Sequence, residues 1–166
     1  MRLTPVAVSG QFDLPALSAD TRVVVALCRR ELKEALNPRI GVFYLYLDMH
    51  DMRWPRHDGP KDDSDGALIY PDAVHLLTLQ NDLLRLRPAR LHVCCHAGVS
   101  RSPALAIAAV AMLHPGASDM EVLRHVKAAR PHSSPNPLIL NLADRLMRRK
   151  LETNCGAFWH AEESEL

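Results

Sequence analysis

The sequence predicts an α/β fold, with a mostly parallel central sheet of about four to five strands flanked by helices. Two observations predict it. Short apolar runs rich in β-branched residues alternate along the chain with longer segments of helical periodicity. The strand-like runs are apolar on both faces, as they are in parallel sheets that helices cover on both sides.

The predicted strands are short. Residues 23–27, 42–47 and 91–95 are apolar runs typical of buried strands, and residues 5–9 are expected to form an edge strand. In a parallel sheet of this kind, ligands bind beyond the carboxyl ends of the strands. The loops that follow residues 27, 47 and 95 are therefore expected to share one rim.

The predicted helices cover residues 71–86, 103–113, 118–129 and 136 to about 151. The second is almost wholly apolar and is expected to be buried. Ser118 with Glu121 three residues later is a capping box, and Asn136 is a good cap for the last helix. Residues 152–166 show no clear period, so we expect a single domain over residues 1–151 and a C-terminal tail.

Composition excludes several classes of protein. The chain has 166 residues and a formal net charge of +1, which gives no bulk attraction to nucleic acid or membrane. Neither a membrane-spanning apolar run nor a hydrophobic signal core is present, and two of the four cysteines are adjacent, which suits neither a disulfide framework nor a zinc site. We expect a cytoplasmic monomer with reduced thiols, without metal or organic cofactor and without nucleic-acid or membrane partners.

The strongest chemical signal is Cys95 followed six positions later by Arg101. A predicted buried strand delivers Cys95 to the sheet edge, a short loop with Gly98 follows, and a helix starts at Ser102-Pro103. Successive backbone N–H groups in such a loop form an anion-binding nest, and glycine can adopt the positive φ that the turn needs. The helix N-terminus adds partial positive charge at the same place, which also favours the thiolate form of the cysteine.

The side chains of this segment suit a phosphate ester. Arg101 can bind two phosphate oxygens bidentately, and Ser102 can hydrogen-bond the sulfur and ease its departure from phosphorus. The residues expected to hold the phosphate are His96, Ala97, Gly98, Val99, Ser100 and Arg101.

Residues 93–104, Val-Cys-Cys-His-Ala-Gly-Val-Ser-Arg-Ser-Pro-Ala, resemble the phosphate-binding loop of the protein tyrosine phosphatase superfamily, in its compact dual-specificity branch. Residues 44–52 resemble the strand and loop that carry the general acid of that family, and residues 130–138 resemble the Pro-Asn entry to its last helix. The resemblance extends from about residue 23 to residue 151 and is closest to small bacterial members. It implies a dual-specificity-phosphatase-like fold and a phosphocysteine intermediate formed by Cys95.

The sequence departs from the family in two places. Cys94 stands where the family usually has His, and the spacing between Asp51 and Cys95 is longer than usual because residues 53–66 resemble an insertion. This stretch is polar and rich in Pro, Gly and Asp, so a lid or substrate loop is expected there.

Several aspartates are candidates for the general acid that protonates the leaving oxygen. Asp51 is favoured, since it lies a few residues past a strand end and matches the family motif. Asp63 has the more usual distance from the nucleophile but lies in a charged run typical of a solvated loop. Asp48 directly follows the strand and can instead cap a turn.

The other cysteines have simpler interpretations. Cys94 is expected to point to the opposite face of the strand from Cys95 and to act as a small buried hydrophobe. Cys28 follows a strand on the active rim, where it could trap an oxidised Cys95 as a disulfide, although a packed cysteine is the commoner case. His50, Arg29 and Arg30 lie on the same rim and are expected mainly to be solvated.

The sequence thus predicts a cysteine-dependent phosphatase acting on phosphate monoesters. The substrate is a phosphorylated protein or a small phosphoester; among proteins, phosphotyrosine is placed ahead of phosphoserine and phosphothreonine, and a phosphoprotein is favoured over an inositol lipid. Cys95 is the nucleophile, and Arg101, Asp51 and Ser102 assist it. The alternatives are a catalytically silent phosphate-binding module and, less favoured, a rhodanese-type sulfurtransferase, which thiosulfate turnover would reveal.

Overall fold

The computed structural model describes residues 2–14, 16–27, 39–53 and 69–161. They form a four-stranded, fully parallel sheet in the order β1-β4-β2-β3, flanked by helices, as predicted. The strands are β1 Val6–Gly10, β2 Val23–Leu27, β3 Phe43–Leu47 and β4 Leu91–Cys95. The helices are α1 Ala73–Leu86, α2 Arg101–Leu113, α3 Asp119–Ala129, α4 Pro137–Met147 and α5 Leu151–Ala161.

Strand β4 lies in the middle of the sheet, and all of its residues are buried. It pairs with β1 on one side, where Cys95 lies opposite Gly10, and with β2 on the other. Helix α2 follows β4 after a five-residue loop, and every residue of this helix except Leu113 is buried. A central strand and a central helix thus fix both ends of the loop between residues 95 and 101.

Local capping signals set the starts of three helices. Ser118 and Glu121 form the predicted capping box of α3, and the Asn136 side chain accepts a hydrogen bond from Ile139 N at the start of α4. Helix α1 starts at Ala73, two residues later than predicted, because Asp72 caps it by accepting a hydrogen bond from His75 N.

The C-terminal segment differs from the expectation. Helix α4 ends at Met147, where Arg148 adopts a left-handed conformation with φ 55°, and residues 151–161 form a further helix instead of an irregular tail. Leu151, Cys155 and Trp159 are spaced four residues apart and are buried in the core. None of the helices in the described ranges is long and apolar enough to cross a membrane.

Candidate active site

Cys95 is the last residue of β4 and is only 2% exposed. Its Sγ lies 3.2 Å from Ser102 Oγ and accepts a hydrogen bond from Gly98 N at 3.2 Å. Ser102 Oγ in turn lies within hydrogen-bond distance of the Ser9 carbonyl, at 3.3 Å. The sulfur therefore lies between a backbone amide and a hydroxyl, both of which can donate to a thiolate.

The carbonyl groups of the loop point outward. Four of them accept hydrogen bonds from groups on neighbouring segments, so the peptide planes turn their N–H groups toward the inside of the loop. The bonds are Gln11 N to His96 O (2.9 Å), Arg130 Nε to Gly98 O (3.1 Å), Ser134 N to Val99 O (2.8 Å) and Asn136 N to Ser100 O (3.0 Å). This is the arrangement that an anion-binding nest requires.

Gly98 occupies a position that no other residue fits. Its φ is +72°, which glycine tolerates and other residues rarely adopt. A Cβ atom here would lie 2.3 Å from Gly10 N and 2.6 Å from Ser9 C. The loop therefore packs directly against the backbone at the end of β1.

Arg101 is the first residue of α2 and is 8% exposed. Its Nη1 donates a hydrogen bond of 2.8 Å to the carbonyl of Met49, two residues before Asp51. Ser100 precedes the helix as its N-cap residue, but its hydroxyl does not cap the helix. The N-terminus of α2 thus has no side-chain cap and directs its N–H groups and its dipole at the loop.

Asp51 lies against the loop. Its Oδ1 accepts hydrogen bonds from Ser100 Oγ at 2.7 Å and from Asn136 Nδ2 at 2.7 Å. Asp48, the alternative next to the strand, is exposed, and its carbonyl lies 3.0 Å from His75 Nε2. Asp63 and the other acidic residues of the predicted insertion lie outside the described residues.

Hydrogen bonds connect two residues that lie on either side of the predicted insertion. His50 N donates to Ile69 O at 2.7 Å, and Ile69 N donates to His50 Nδ1 at 2.8 Å. Two hydrogen bonds therefore join residue 50 to residue 69. The sequence led us to expect a mainly solvated His50, but its imidazole makes one of these two bonds. Arg53, two residues after Asp51 in the sequence, donates to Ser134 O at 3.3 Å and to Ser134 Oγ at 3.1 Å.

Cys94 points away from the site. It packs with Leu14, Leu17, Tyr44 and Tyr46, and burial raises the pKa of its thiol to about 12. The sequence predicted this orientation from the alternation along β4. Cys28, Arg29 and Arg30 lie outside the described residues, so the predicted redox role of Cys28 stays a prediction.

The sequence did not reveal a second group of residues beside the loop. Arg130 donates through Nε to Gly98 O and pairs through Nη1 with Asp13, whose Oδ1 accepts a hydrogen bond from Gly10 N at 2.6 Å. Burial raises the pKa of Asp13, but the bonds from Arg130 and Gly10 and the charge of Arg130 outweigh it, so this pKa is lowered overall. Only the position of Gly10 and Asp13 after an edge strand, beside the predicted loop, could have indicated them.

No protein-family model matches the sequence, and no curated protein matches it either. Solved structures do match. DUSP15 superposes with a TM-score of 0.59 at 19% identity, over 93% of this chain and 92% of its own. Human DUSP28 superposes with a TM-score of 0.53 at 20% identity, over 97% and 95%. PTPMT1 in complex with PI(5)P superposes with a TM-score of 0.56 at 19% identity, over 87% of this chain and 91% of its own.

These likenesses establish the fold. The chain has the same α/β fold as these three structures, which is the dual-specificity-phosphatase-like fold that the resemblance implied. The segment that the resemblance identified, residues 95–101, forms the loop between the central strand and the buried helix.

Proposed function

We propose that this protein is a cysteine-dependent phosphatase that hydrolyses phosphate monoesters through a phosphocysteine intermediate. The observation that carries the proposal is the outward orientation of the loop carbonyls around a buried Cys95. A loop whose N–H groups face inward offers several donors to the equatorial oxygens of a phosphoryl group. Arg101 adds a fixed positive charge with bidentate geometry.

The first chemical step transfers the phosphoryl group to sulfur. The thiolate of Cys95 attacks phosphorus, the bond from phosphorus to the ester oxygen breaks, and the leaving oxygen takes a proton from Asp51. The hydrogen bonds to Oδ1 orient the carboxyl group, so we assign the transferred proton to Oδ2.

The second step releases phosphate. Asp51, now ionised, removes a proton from a water molecule that attacks the phosphocysteine, and the bond from phosphorus to sulfur breaks. Ser102 Oγ, 3.2 Å from Sγ, donates a hydrogen bond to the departing thiolate. The proton that Asp51 gains restores the starting state, and no further reactant is needed.

The proposed substrate is a phosphorylated protein, with phosphotyrosine ahead of phosphoserine and phosphothreonine. The PTPMT1 structure holds a phosphoinositide, so a lipid headgroup is the main alternative. The interior of the loop here is His-Ala-Gly-Val-Ser, without the lysine that tends to accompany inositol-lipid substrates in members of this superfamily.

The test compares wild-type protein with Cys95→Ser on 4-nitrophenyl phosphate, whose good leaving group hardly needs an acid. Wild type should turn over, whereas Cys95→Ser should lose all but a few per cent of the rate and still bind tungstate, because every backbone donor remains. Turnover by Cys95→Ser would show that the nucleophile is wrongly assigned. Tungstate binding without wild-type turnover would instead indicate a catalytically silent phosphate-binding module.

A further inference from the structure

The turn after β1, residues 11–13, is fastened to the candidate catalytic loop on both sides. Gln11 N donates to His96 O at 2.9 Å. On the other side, Asp13 pairs with Arg130, whose Nε donates to Gly98 O at 3.1 Å. These contacts on either side hold the residue at position 12 in a fixed position relative to the loop.

That residue is Phe12, whose side chain is 81% exposed. Its ring contacts the ring of His96 edge to face, with centroids 5.3 Å apart. Ala97 and Val99, the exposed residues of the same loop, are also apolar. Phe12, Ala97 and Val99 thus give the loop and the turn beside it an exposed apolar edge, whose largest member is the ring of Phe12.

An exposed aromatic ring in a fixed position is suited to contact with a ligand. In phosphotyrosine the ring is bonded directly to the ester oxygen, so it lies at the mouth when the phosphate is inside the loop. In phosphoserine the same position holds only a methylene group and then the peptide backbone. The turn itself, Gln11-Phe12-Asp13, contains no cation to attract an anionic lipid surface.

We propose that Phe12, supported by the ring of His96, is a specificity-determining residue that contacts the aromatic ring of a phosphotyrosine side chain. The inference rests on the proposed function only for the position of the phosphate. It assigns the preference for an aromatic leaving group to a residue outside the catalytic loop. Edge-to-face or stacked contact between the two rings accounts for the preference.

The experiment measures binding and so does not depend on turnover. In a Cys95→Ser background, calorimetry compares a phosphotyrosine peptide with a phosphoserine peptide of otherwise identical sequence. Adding Phe12→Ala should weaken the affinity for the phosphotyrosine peptide by about 2- to 12-fold, which is the range expected for loss of one aromatic pair. The affinity for the phosphoserine peptide should not change. Phe12→Tyr should retain the wild-type preference.

Ile40→Ala provides the matched control. Ile40 is fully exposed and lies just before β3, at the opposite end of the parallel strands from Cys95, so its removal should change neither affinity. Equal weakening of both peptides by Phe12→Ala would indicate a structural role and overturn the inference, as would no weakening of either.

A third arm uses phosphatidylcholine vesicles that contain phosphatidylinositol 5-phosphate. Phe12-dependent binding to these vesicles, without a preference for the phosphotyrosine peptide, would overturn the inference in favour of a lipid surface. Failure of the proposed function has a different signature. A wild-type protein without turnover, but with Phe12-dependent phosphotyrosine binding, would refute the catalytic proposal and leave this one intact.

Discussion

Ser100 donates a hydrogen bond to Oδ1 of Asp51 at 2.7 Å, and this bond joins the candidate catalytic loop to the loop that follows β3. Asn136 donates to the same oxygen at 2.7 Å and to Met52 O at 3.0 Å. Three segments that are far apart in sequence therefore meet at one carboxylate oxygen. Because an exposed loop is otherwise free to change conformation, these bonds are what gives the carboxyl group of Asp51 a fixed direction.

The first prediction concerns the acid. Asp51→Asn keeps the shape of the side chain but removes the proton that it would transfer. The rate should fall about 10²–10⁴-fold on phosphotyrosine or an alkyl phosphate, and little on 4-nitrophenyl phosphate, because a good leaving group needs no proton. Steady-state kinetics with a series of leaving groups measure this difference.

Asp63→Asn is the comparison variant, since the sequence alone left Asp63 as the alternative. This substitution should change the rate on neither kind of substrate. If Asp63→Asn shows the leaving-group dependence and Asp51→Asn does not, the acid belongs to the stretch of residues 53–66 and the bonds to Asp51 are structural.

The second prediction concerns Arg101, which donates to Met49 O at 2.8 Å from the first turn of α2. Lysine carries one compact ammonium group and cannot hold this carbonyl while binding two phosphate oxygens in parallel. Arg101→Lys should therefore weaken tungstate binding and lower kcat/KM on every phosphate ester, whatever its leaving group. Arg53→Lys, at an exposed arginine bonded to Ser134, should do neither. Wild-type tungstate affinity in Arg101→Lys would refute the bidentate role.

Features that depend on residues close together in the sequence could be predicted, and features that depend on distant residues could not. The strands were predictable because β-branched apolar runs are local signals, and α3 and α4 because Ser118 and Asn136 cap their own helices. Helix α5 was missed because its cap comes from another helix: Asp144 accepts hydrogen bonds from Leu151 N at 2.6 Å and Glu152 N at 3.0 Å.

The same distinction holds at the site. The segment from Cys95 to Arg101 is contiguous, so its chemistry could be inferred from order and spacing alone. The contacts of Arg130 with Gly98 and Asp13 join segments that only the folded sheet brings together, and no local pattern encodes them. The sequence favoured Asp51 without excluding Asp63, which lies outside the described residues. The bonds from Ser100 and Asn136 hold the carboxylate of Asp51 beside the loop, and its catalytic role stays a prediction.

The third prediction concerns Gly98, where a Cβ atom would lie 2.3 Å from Gly10 N at a φ of +72°. Gly98→Ala combines an unfavourable backbone conformation, costing about 1–3 kcal/mol, with a clash against backbone that cannot move aside. The free energy of unfolding in urea should fall by more than that amount, and tungstate affinity should fall with it.

Two glycines separate these effects. Gly41 has a φ of +80° and no heavy atom within 4 Å of its Cβ position, so Gly41→Ala pays only for conformation. Gly116 also has open space around it, and its φ lies outside the left-handed range, so Gly116→Ala should be nearly neutral. If Gly98→Ala costs no more stability than Gly41→Ala, the close approach of the loop to β1 is contradicted.

The last prediction concerns His92, which is 2% exposed on β4 and lies 2.8 Å from Ser9 Oγ through Nε2. Burial lowers the pKa of His92 from 6.5 to about 4, and the charge of Asp13 opposes this only partly. As the pH falls below 6.5, the unfolded chain binds a proton that the folded chain does not bind until about pH 4. The stability that neutral His92 contributes is therefore fully present above pH 6.5 and is lost between pH 6.5 and 4.

The size of this loss follows from the shift, since each pKa unit corresponds to 1.36 kcal/mol, which gives up to about 3 kcal/mol. Urea unfolding at a series of pH values measures it, and His92→Gln is the matched variant because its amide can take the place of Nε2 and still donate to Ser9 Oγ. The free energy of unfolding should fall less steeply with acidity in His92→Gln than in wild type. Some slope should remain, since burial, and then the charge of His125, also lower the pKa of His114. Parallel curves for the two proteins would contradict the lowered pKa and show that His92 takes up its proton in the folded strand as readily as in the unfolded chain.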